Sequence, residues 1–569
     1  MNRAPGRPAS ADTVIRAGRV ITLGTGGPDG PAAVCIGGGL IQAVVPAEAA
    51  GDWIGPDTTV IDLPASTLMP GFVDPHAHAE VAAKASYQMI DVRAPGCPDI
   101  AAVLRTLRES LPQARDGWLV AQANLFFDQK LADRRFPTRA ELDSVSTDIA
   151  IAVRAGGHLS ILNSRALEVS GIDDSYQAVE YSLTGKPSVQ RDAEGRPTGI
   201  VTEMDKLLPF PSLSAEQSRE AIESGIRDLF TAHGVTTIGE ISESREGLSI
   251  YDQALAEGRM AARIHVYLWT PGTVSLDEAC AHRDWTGFRS PEALLKIQGV
   301  KAFSDGGYSA ARAALTRPYA LDGHSCGELA LSTEQIIELA QRTRAAGLQL
   351  AVHANGDRAQ LEVCQALARI AEEHPGGPRI RIEHAGNFVP DYQALSAAWT
   401  AAGIVPVPQP VFIYNFGEFV PAYVGDYARD RQFPFRRMLD DGWPLSGSSD
   451  VWVGSEIGQT NPFLSIAAAV ARKTFHGQDL TPDQAVTVHE ALRMHTLGGA
   501  HALGEEHTRG TLEPGKLADV IALDRDPLTT APEELTGIRV EEVFLGGEHV
   551  YSRSTLATGT ALSTGTGAA

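Results

Sequence analysis

The middle of the chain alternates between short apolar, β-branched stretches and longer segments rich in Ala, Leu, Glu and Arg. This alternation is typical of strand–helix units around a parallel sheet and indicates the α/β class. Eight stretches have the composition of buried strands: 68–78, 235–241, 263–269, 294–304, 347–355, 379–386, 403–410 and 443–450. Because eight parallel strands close a TIM barrel, the pattern predicts a (β/α)8 barrel over 68–79 and 213–504.

The two ends of the chain carry short strand-like stretches broken by Gly and Pro. Neither set can bury its apolar face alone, so we expect 13–67 and 505–553 to form one small β-sandwich. Residues 80–212 are too long for a loop and contain their own helix and strand patterns, which predicts an inserted α+β subdomain after the first barrel strand. Residues 1–12 and 554–569 are small, polar and unpatterned, and we expect disordered tails there.

Charge and composition narrow the possible partners. The chain has 569 residues with 48 Lys and Arg against 70 Asp and Glu, a net charge of −22. This excess of negative charge disfavours nucleic acids and anionic membranes as partners. No apolar run approaches the roughly 18–20 residues of a membrane helix, and the N-terminus lacks the apolar region of a secretory signal. We therefore expect a cytoplasmic protein that acts on a small molecule, with a homodimer as the default assembly.

The five cysteines change this picture little. They are scattered, odd in number and without a CxxC pair. Their spacing predicts neither a disulfide framework nor a zinc ribbon, and it suits a reducing compartment.

Histidines and one aspartate mark the ends of the predicted strands. His76 and His78 form an H-x-H at the end of the first strand, so both rings project to one side. His353, His384 and Asp450 end the fifth, sixth and eighth strands. The carboxyl ends of barrel strands meet at one face, where TIM-barrel active sites lie. Imidazoles with carboxylate oxygens suit Zn²⁺, with Mn, Fe or Ni as alternatives.

Lys301, near the end of the fourth strand, allows two interpretations. A neutral buried lysine reacts with CO₂ to form a carbamate, which bridges two metal ions. The alternative is an ion pair with Asp305 or Glu240 at the mouth of the barrel. Spacing alone does not decide between them.

Several motifs together resemble a known family. They are VDPHAH, VKAFSDGG, AVHANGD, RIEHAG, GSSD and the closing GTLEPGKLADVIALD. They are similar to the amidohydrolase superfamily of metal-dependent hydrolases, and the likeness covers about residues 14–552. GWLV, FPTRAELD and GGHLSILNSRALEVSGI within 80–212 are similar to the branch that contains N-substituted formamide deformylases.

The resemblance implies a site with one or two divalent ions. His76, His78 and Asp450 would bind the more buried ion, and His353 and His384 the more exposed one. A carboxylated Lys301 would bridge the two. A metal-activated hydroxide would attack the amide carbon, while Asp450 takes the proton and passes it to the leaving nitrogen.

Other residues are candidates for contacts around the substrate. His158 is either a hydrogen-bond donor to the reacting group, supplied from outside the barrel, or a plain loop histidine. Glu203 and Phe126 either line the substrate pocket from the insertion or serve packing there. Asp305 follows Lys301 and either contacts substrate or shapes the loop. The aromatic segment 412–423 is either a lid at the rim or core, and its polar residues favour the rim.

The sequence departs from the family pattern at the rim of the pocket. Gly156, Gly157 and His158 stand where Asp-Gly-His is common, and GSSDVW replaces Gly-Ser-Asp-Trp-Pro. GEIS at 239–242 replaces a common His-Asp. These changes leave the metal ligands intact, but they leave the identity of the substrate undetermined.

Three functions compete at this point. The leading hypothesis is hydrolysis of a C–N bond in a small N-acyl or N-formyl amine or a cyclic amide. The second keeps the metal site but assigns an esterase, a decarboxylase or an isomerase. The third is a non-catalytic binding protein, which the intact ligand set disfavours.

Overall fold

Seven parallel β-strands form the centre of the structure, a computed structural model that describes residues 10–179, 186–373 and 376–554. Strands and helices are numbered in chain order. The central strands are β5 (Phe72–Ala77), β12 (Val235–Ser242), β13 (Arg263–Trp269), β14 (Leu295–Phe303), β15 (Gln349–His353), β16 (Arg381–Glu383) and β17 (Val405–Val407). They pair in the order β17-β16-β15-β14-β13-β12-β5. The parallel sheet of the prediction is confirmed, with seven strands in place of eight.

The predicted eighth strand, 443–450, is irregular. Its backbone follows β5 without a ladder: the Asp450 N–H donates to the His76 carbonyl at 2.9 Å, and the Ser449 N–H donates to Asp74 Oδ1 at 3.1 Å. On the other side Ser448 Oγ donates to the Pro408 carbonyl at 3.1 Å. Gly and Ser are poor strand formers, and here serine side-chain and backbone groups bond locally in place of a regular ladder.

Helices surround this sheet, and several of them begin at capping residues. They are α1 (Ala79–Gln88), α6 (Ala215–Gly225), α7 (Arg245–Ala256), α8 (Leu276–Cys280), α9 (Thr333–Ala345), α10 (Asp357–Glu373), α11 (Tyr392–Ala402), α12 (Phe412–Phe416), α13 (Val420–Val424), α14 (Phe435–Asp440), α15 (Pro462–Ala471), α16 (Val488–Arg493) and α17 (Gly499–Ala502). Ser214 with Gln217, and Ser332 with Gln335, form capping boxes that satisfy the first N–H groups of α6 and α9.

Both ends of the chain contribute to a second sheet. It contains β1 (Thr13–Val20), β2 (Ala32–Gly37), β3 (Leu40–Pro46), β4 (Thr59–Pro70), β18 (Val520–Leu523), β19 (Val540–Leu545) and β20 (Glu548–Ser552). The order is β20-β19-β18-β4-β1-β2-β3, and the start of β3 also bonds to 515–518. The predicted sandwich is therefore one rolled sheet. Residues 68–70, predicted in the first barrel strand, belong to β4, and the chain enters the barrel at Gly71.

The insertion after β5 has a sheet and cores of its own. Its strands are β6 (Ile90–Asp91), β7 (Trp118–Ala123), β8 (Ala150–Ala155), β9 (Leu159–Leu162), β10 (Ser188–Arg191) and β11 (Pro197–Thr202). Its helices are α2 (Ile100–Glu109), α3 (Phe127–Lys130), α4 (Arg139–Asp143) and α5 (Ser164–Val169). Separate apolar clusters on the two faces of this sheet make the insertion a packed unit beside the barrel.

Residues 1–9 and 555–569, most of the predicted tails, lie outside the described residues. Ala11, placed in the first tail, is buried and donates its N–H to the Trp53 carbonyl at 2.8 Å. None of the helices in the described ranges has the length and hydropathy needed to span a bilayer.

Candidate metal centre

The six predicted ligand residues lie together at the carboxyl end of the central strands. His76 and His78 come from the end of β5, Lys301 from β14, and His353 from the end of β15. His384 directly follows β16, and Asp450 lies in the irregular segment beside β5. Parallel strands end at one face, so residues far apart in sequence converge there.

One group of ligand atoms combines His76, His78 and Asp450. These atoms lie within 4.8 Å of one another. Asp450 Oδ1 is 3.1 Å from His76 Nε2 and 3.7 Å from His78 Nε2. The two rings lie on the same side of β5 because they are two residues apart. The Asp450 side chain is 16% exposed while both rings are at most 1% exposed, so the carboxylate is the accessible member of this group.

The second group pairs His353 with His384. His384 Nε2 is 3.1 Å from His353 Nδ1, and its other ring nitrogen bonds to Gln409 Oε1 at 2.7 Å. That amide oxygen accepts the Nδ1–H, which leaves the Nε2 lone pair directed to His353. His384 Nδ1 lies 3.9 Å from Asp450 Oδ2, so the two groups are adjacent.

Lys301 lies between the groups. Its Nζ is 3.4 Å from His76 Nε2 and 4.4 Å from the centre of the Phe303 ring. Burial lowers the pKa of Lys301 to about 8. Among the described residues no carboxylate lies within 4.0 Å of this ammonium, so the alternative pairing with Asp305 or Glu240 is absent from the structure.

The buried Glu383 carboxylate orients the His76 ring from the Nδ1 side, opposite the nitrogen that faces Asp450. Glu383 bonds to His76 Nδ1, and Arg381 bonds to Glu383 with Nη2 at 3.0 Å from Oε2. Arg381 also donates to the Tyr267 hydroxyl at 2.9 Å. Burial raises the pKa of Glu383, but Arg381 and His76 outweigh it and hold that pKa well below its usual value. The ionised Glu383 fixes the ring so that Nε2 faces Asp450.

The charge states of the group suit a divalent cation. Burial lowers the pKa of His78 and of His384 to about 4, and burial with nearby positive charge holds the pKa of His353 well below its usual value. Burial raises the pKa of Asp450, but His76 and His384 hold it well below the usual value. At neutral pH the site therefore presents imidazole lone pairs and one carboxylate. This nitrogen and oxygen donor set fits Zn²⁺ and similar ions.

Two members of the site have strained backbones. His384 has φ +74° and Asp450 has φ +46°, a left-handed region that non-glycine residues rarely occupy. Such conformations cost on the order of 1–3 kcal/mol and persist only where the surroundings hold them. Surrounding contacts must therefore hold both ligands in place.

A cavity of about 490 Å³, solvent at its mouth included, opens directly above these residues. Phe126 and His158 reach its wall from the insertion, and Phe412 and Phe416 of α12 reach it from the barrel. Segment 412–423 therefore contributes buried aromatic rings to the cavity wall.

Glu203 and Asp305 do not line this cavity. Glu203 accepts a hydrogen bond from His158 Nδ1 at 2.9 Å, so it orients that ring and leaves Nε2 for other contacts. Asp305 accepts the N–H groups of Ala314, Asn355 and Gly356 at 2.8–2.9 Å, which shapes the loop after β14. Both carboxylates bond within the protein, which favours packing for Glu203 and loop shaping for Asp305, and contact of either residue with substrate stays a prediction.

Sequence reasoning missed three residues of the site. Trp452 lines the cavity and stacks on His78 with ring centres 3.9 Å apart. Gln409 orients His384, and Glu243 lies 3.7 Å from His78 Nδ1. Trp452 closely follows the GSSD motif, and Glu243 follows the predicted strand 235–241. Their positions after strand ends were a signal that could have identified both as site residues. Gln409 had no comparable signal.

Known proteins share this architecture. Residues 59–551 match the profile of the amidohydrolase family. An N-substituted formamide deformylase from Arthrobacter pascens is 29% identical over 535 residues, which cover 92% of this chain and 95% of the relative. A metal-dependent hydrolase from Pyrococcus horikoshii superposes with a TM-score of 0.67 at 23% identity, covering 92% of this chain and 99% of that chain. One from Pyrococcus furiosus gives 0.66 at 25% identity, covering 91% and 100%. The chain belongs to the amidohydrolase family.

Proposed function

We propose that the protein is a metal-dependent hydrolase that cleaves the C–N bond of a small N-acyl or N-formyl amine or a cyclic amide. The observation that carries this proposal is the convergence of three ligand histidines, Lys301 and an ionised Asp450 on one cavity, with His76 buried directly beside Asp450. The similarity to a protein named for the removal of formyl groups from substituted formamides supports the choice of bond.

The residues divide into two sets of metal ligands. His76, His78 and Asp450 would hold one ion, and His353 and His384 would hold a second. A divalent ion supplies Lewis-acid polarisation of the amide carbonyl and lowers the pKa of water. The lowered pKa of Lys301 increases the fraction of neutral amine near neutral pH, and this amine would add to CO₂ and release a proton to give a carbamate. The new carboxylate would then face both sets.

Asp450 is suited to move the proton in this reaction. Its side chain is the accessible carboxylate of the site and it is ionised at neutral pH. It would accept a proton from the attacking water and deliver it to the leaving nitrogen, which cannot depart as an anion. His158, held by Glu203, faces the same cavity. Burial lowers the pKa of His158, but the Glu203 carboxylate outweighs it and raises that pKa, and the protonated ring would donate its Nε2–H to the carbonyl oxygen.

Chelation should abolish amide hydrolysis. We expect protein dialysed against a chelator to lose at least about 100-fold in the rate of formate release from an N-alkylformamide, and to recover it on addition of Zn²⁺. Metal content per chain by mass spectrometry, measured beside the rate, separates one ion from two. Full activity without metal would contradict the proposal. Turnover of a matched ester without turnover of the amide would favour the esterase.

Replacement of His158 by Phe should lower kcat by about 100-fold, because a donor to the developing oxyanion is lost. Glu203→Gln should have a smaller effect, and the double variant should resemble His158→Phe alone since Glu203 acts through the ring. The matched control is His324→Phe, whose side chain is 82% exposed. Equal rates for His158→Phe and this control would remove His158 from the mechanism.

A further inference from the structure

The segment from Asp450 to Gln459 is irregular but closely held by the insertion. Gly454 has φ +71°, and a Cβ atom there would lie 2.0 Å from the Ala123 carbonyl oxygen at the end of β7. Only glycine permits this approach and this backbone conformation. The segment that carries Asp450 is therefore in direct backbone contact with the insertion.

Glu456 is the centre of these contacts. It forms an ion pair with Lys130, with side-chain exposures of 4% for Glu456 and 0% for Lys130. Asn124 Nδ2 donates to the same carboxylate at 2.7 Å, and Arg93 donates to the neighbouring Ser455 carbonyl at 2.6 Å. All three donors come from the insertion. A buried carboxylate of this kind requires such partners.

Hydrogen bonds connect Glu456 to the peptide groups of Asp450. The Glu456 N–H donates to Gln459 Oε1 at 2.9 Å. Gln459 Nε2 donates to the carbonyls of Ser449 at 2.8 Å and Asp450 at 3.3 Å. The Gln459 side chain therefore binds the Ser449 and Asp450 carbonyls, which lie before and after the N–H and Cα of Asp450. This contact supports the left-handed φ of Asp450, which a free segment would not keep.

We propose that Lys130 and Glu456 are positioning residues for Asp450, so that the insertion completes the catalytic site through a buried ion pair. Neither residue lines the cavity. Lys130 holds Glu456, Glu456 holds Gln459, and Gln459 holds the backbone of Asp450. The kinetic part of the test rests on the proposed function of Asp450. The order of the segment 450–459 can be measured without a substrate and does not depend on that function.

The test compares Lys130→Met, Glu456→Gln and the double variant with the wild type, all saturated with Zn²⁺. Lys130→Met leaves a buried charge unpaired, whereas Glu456→Gln keeps the shape and the bond from Asn124. The control is Arg263→Met, which breaks a buried pair with Asp519 at 2.8 Å on the far side of the barrel. Hydrogen exchange is followed by mass spectrometry in peptides covering 449–460, and kcat and KM are measured on the same samples.

We expect exchange in 449–460 to become at least about 10-fold faster in Lys130→Met, and less so in Glu456→Gln, with no change in this segment for Arg263→Met. kcat should fall by at least about 10-fold in Lys130→Met while KM changes by less than about threefold, because the defect is misplacement of Asp450. The double variant should lose no more than Lys130→Met. Unchanged exchange in 449–460, or multiplicative losses in the double variant, would overturn the proposal. Faster exchange without any detectable amidase activity in the wild type would uphold the positioning and reject the proposed function.

Discussion

Asp450→Asn should lower kcat for the amide substrate by about 10²–10⁴-fold while the protein stays folded. The amide keeps the size of the side chain but neither accepts a proton at neutral pH nor provides a negative ligand. The Asp450 side chain is partly exposed to the cavity. Among the residues that the structure describes, no other carboxylate borders this cavity, so none can replace it. The measurement is kcat on protein with its metal content determined.

A matched control separates this effect from a general loss of charge. Asp426→Asn alters an aspartate that is 95% exposed and paired with Arg429, and it should leave kcat within about twofold. Circular dichroism and thermal unfolding of both variants report the fold. An Asp450→Asn enzyme that retains a tenth or more of the wild-type kcat would contradict the assignment of the proton transfer to this residue.

Arg381→Met should be the most destabilising single substitution that we predict. Arg381 is fully buried beside Glu383, and its removal leaves that carboxylate without its cation in the barrel interior. Breaking a buried ion pair in this way costs about 3–5 kcal/mol. The expected result is a free energy of unfolding lower by that amount, measured by urea denaturation of metal-free protein so that lost metal binding does not contribute.

Two further variants serve as comparisons for Arg381→Met: one removes an exposed arginine, and the other also replaces Glu383, the partner of Arg381. Arg429→Met, at a side chain that is 55% exposed, should change stability by less than about 0.5 kcal/mol. Arg381→Met combined with Glu383→Gln should recover part of the loss, because no unpaired charge remains. If Arg381→Met and Arg429→Met were equally stable, the ion pair would not contribute to the barrel.

The insertion contributes residues to the candidate site as well as forming its own core. It supplies Phe126 and His158 to the cavity wall, Glu203 to orient His158, and Lys130 to hold the segment after Asp450. Residues 80–212 and the barrel therefore build one site together. Substitutions in the insertion that break these contacts should affect catalysis although they lie outside the barrel strands.

Local patterns were sufficient to predict the strands that carry the candidate histidines and Lys301, but not the irregular segment that carries Asp450. The period-two spacing of His76 and His78 placed both rings on one side of a strand, and the apolar runs before His353 and His384 marked their strand ends. The motifs of the amidohydrolase family extended these patterns to the whole chain, and the family profile confirms that membership.

The sequence by itself determined a parallel sheet with the candidate histidines and Lys301 near strand ends, because these features depend on local apolar runs and on spacing between near neighbours. Only the tertiary structure decided that 443–450 is irregular, that Glu203 and Asp305 bond within the protein, and that Lys130 holds Glu456. Lys130 and Glu456 are 326 positions apart. No local periodicity encodes which buried charge meets which partner, because that choice depends on how separate packed units dock and on the cost of leaving either charge unpaired.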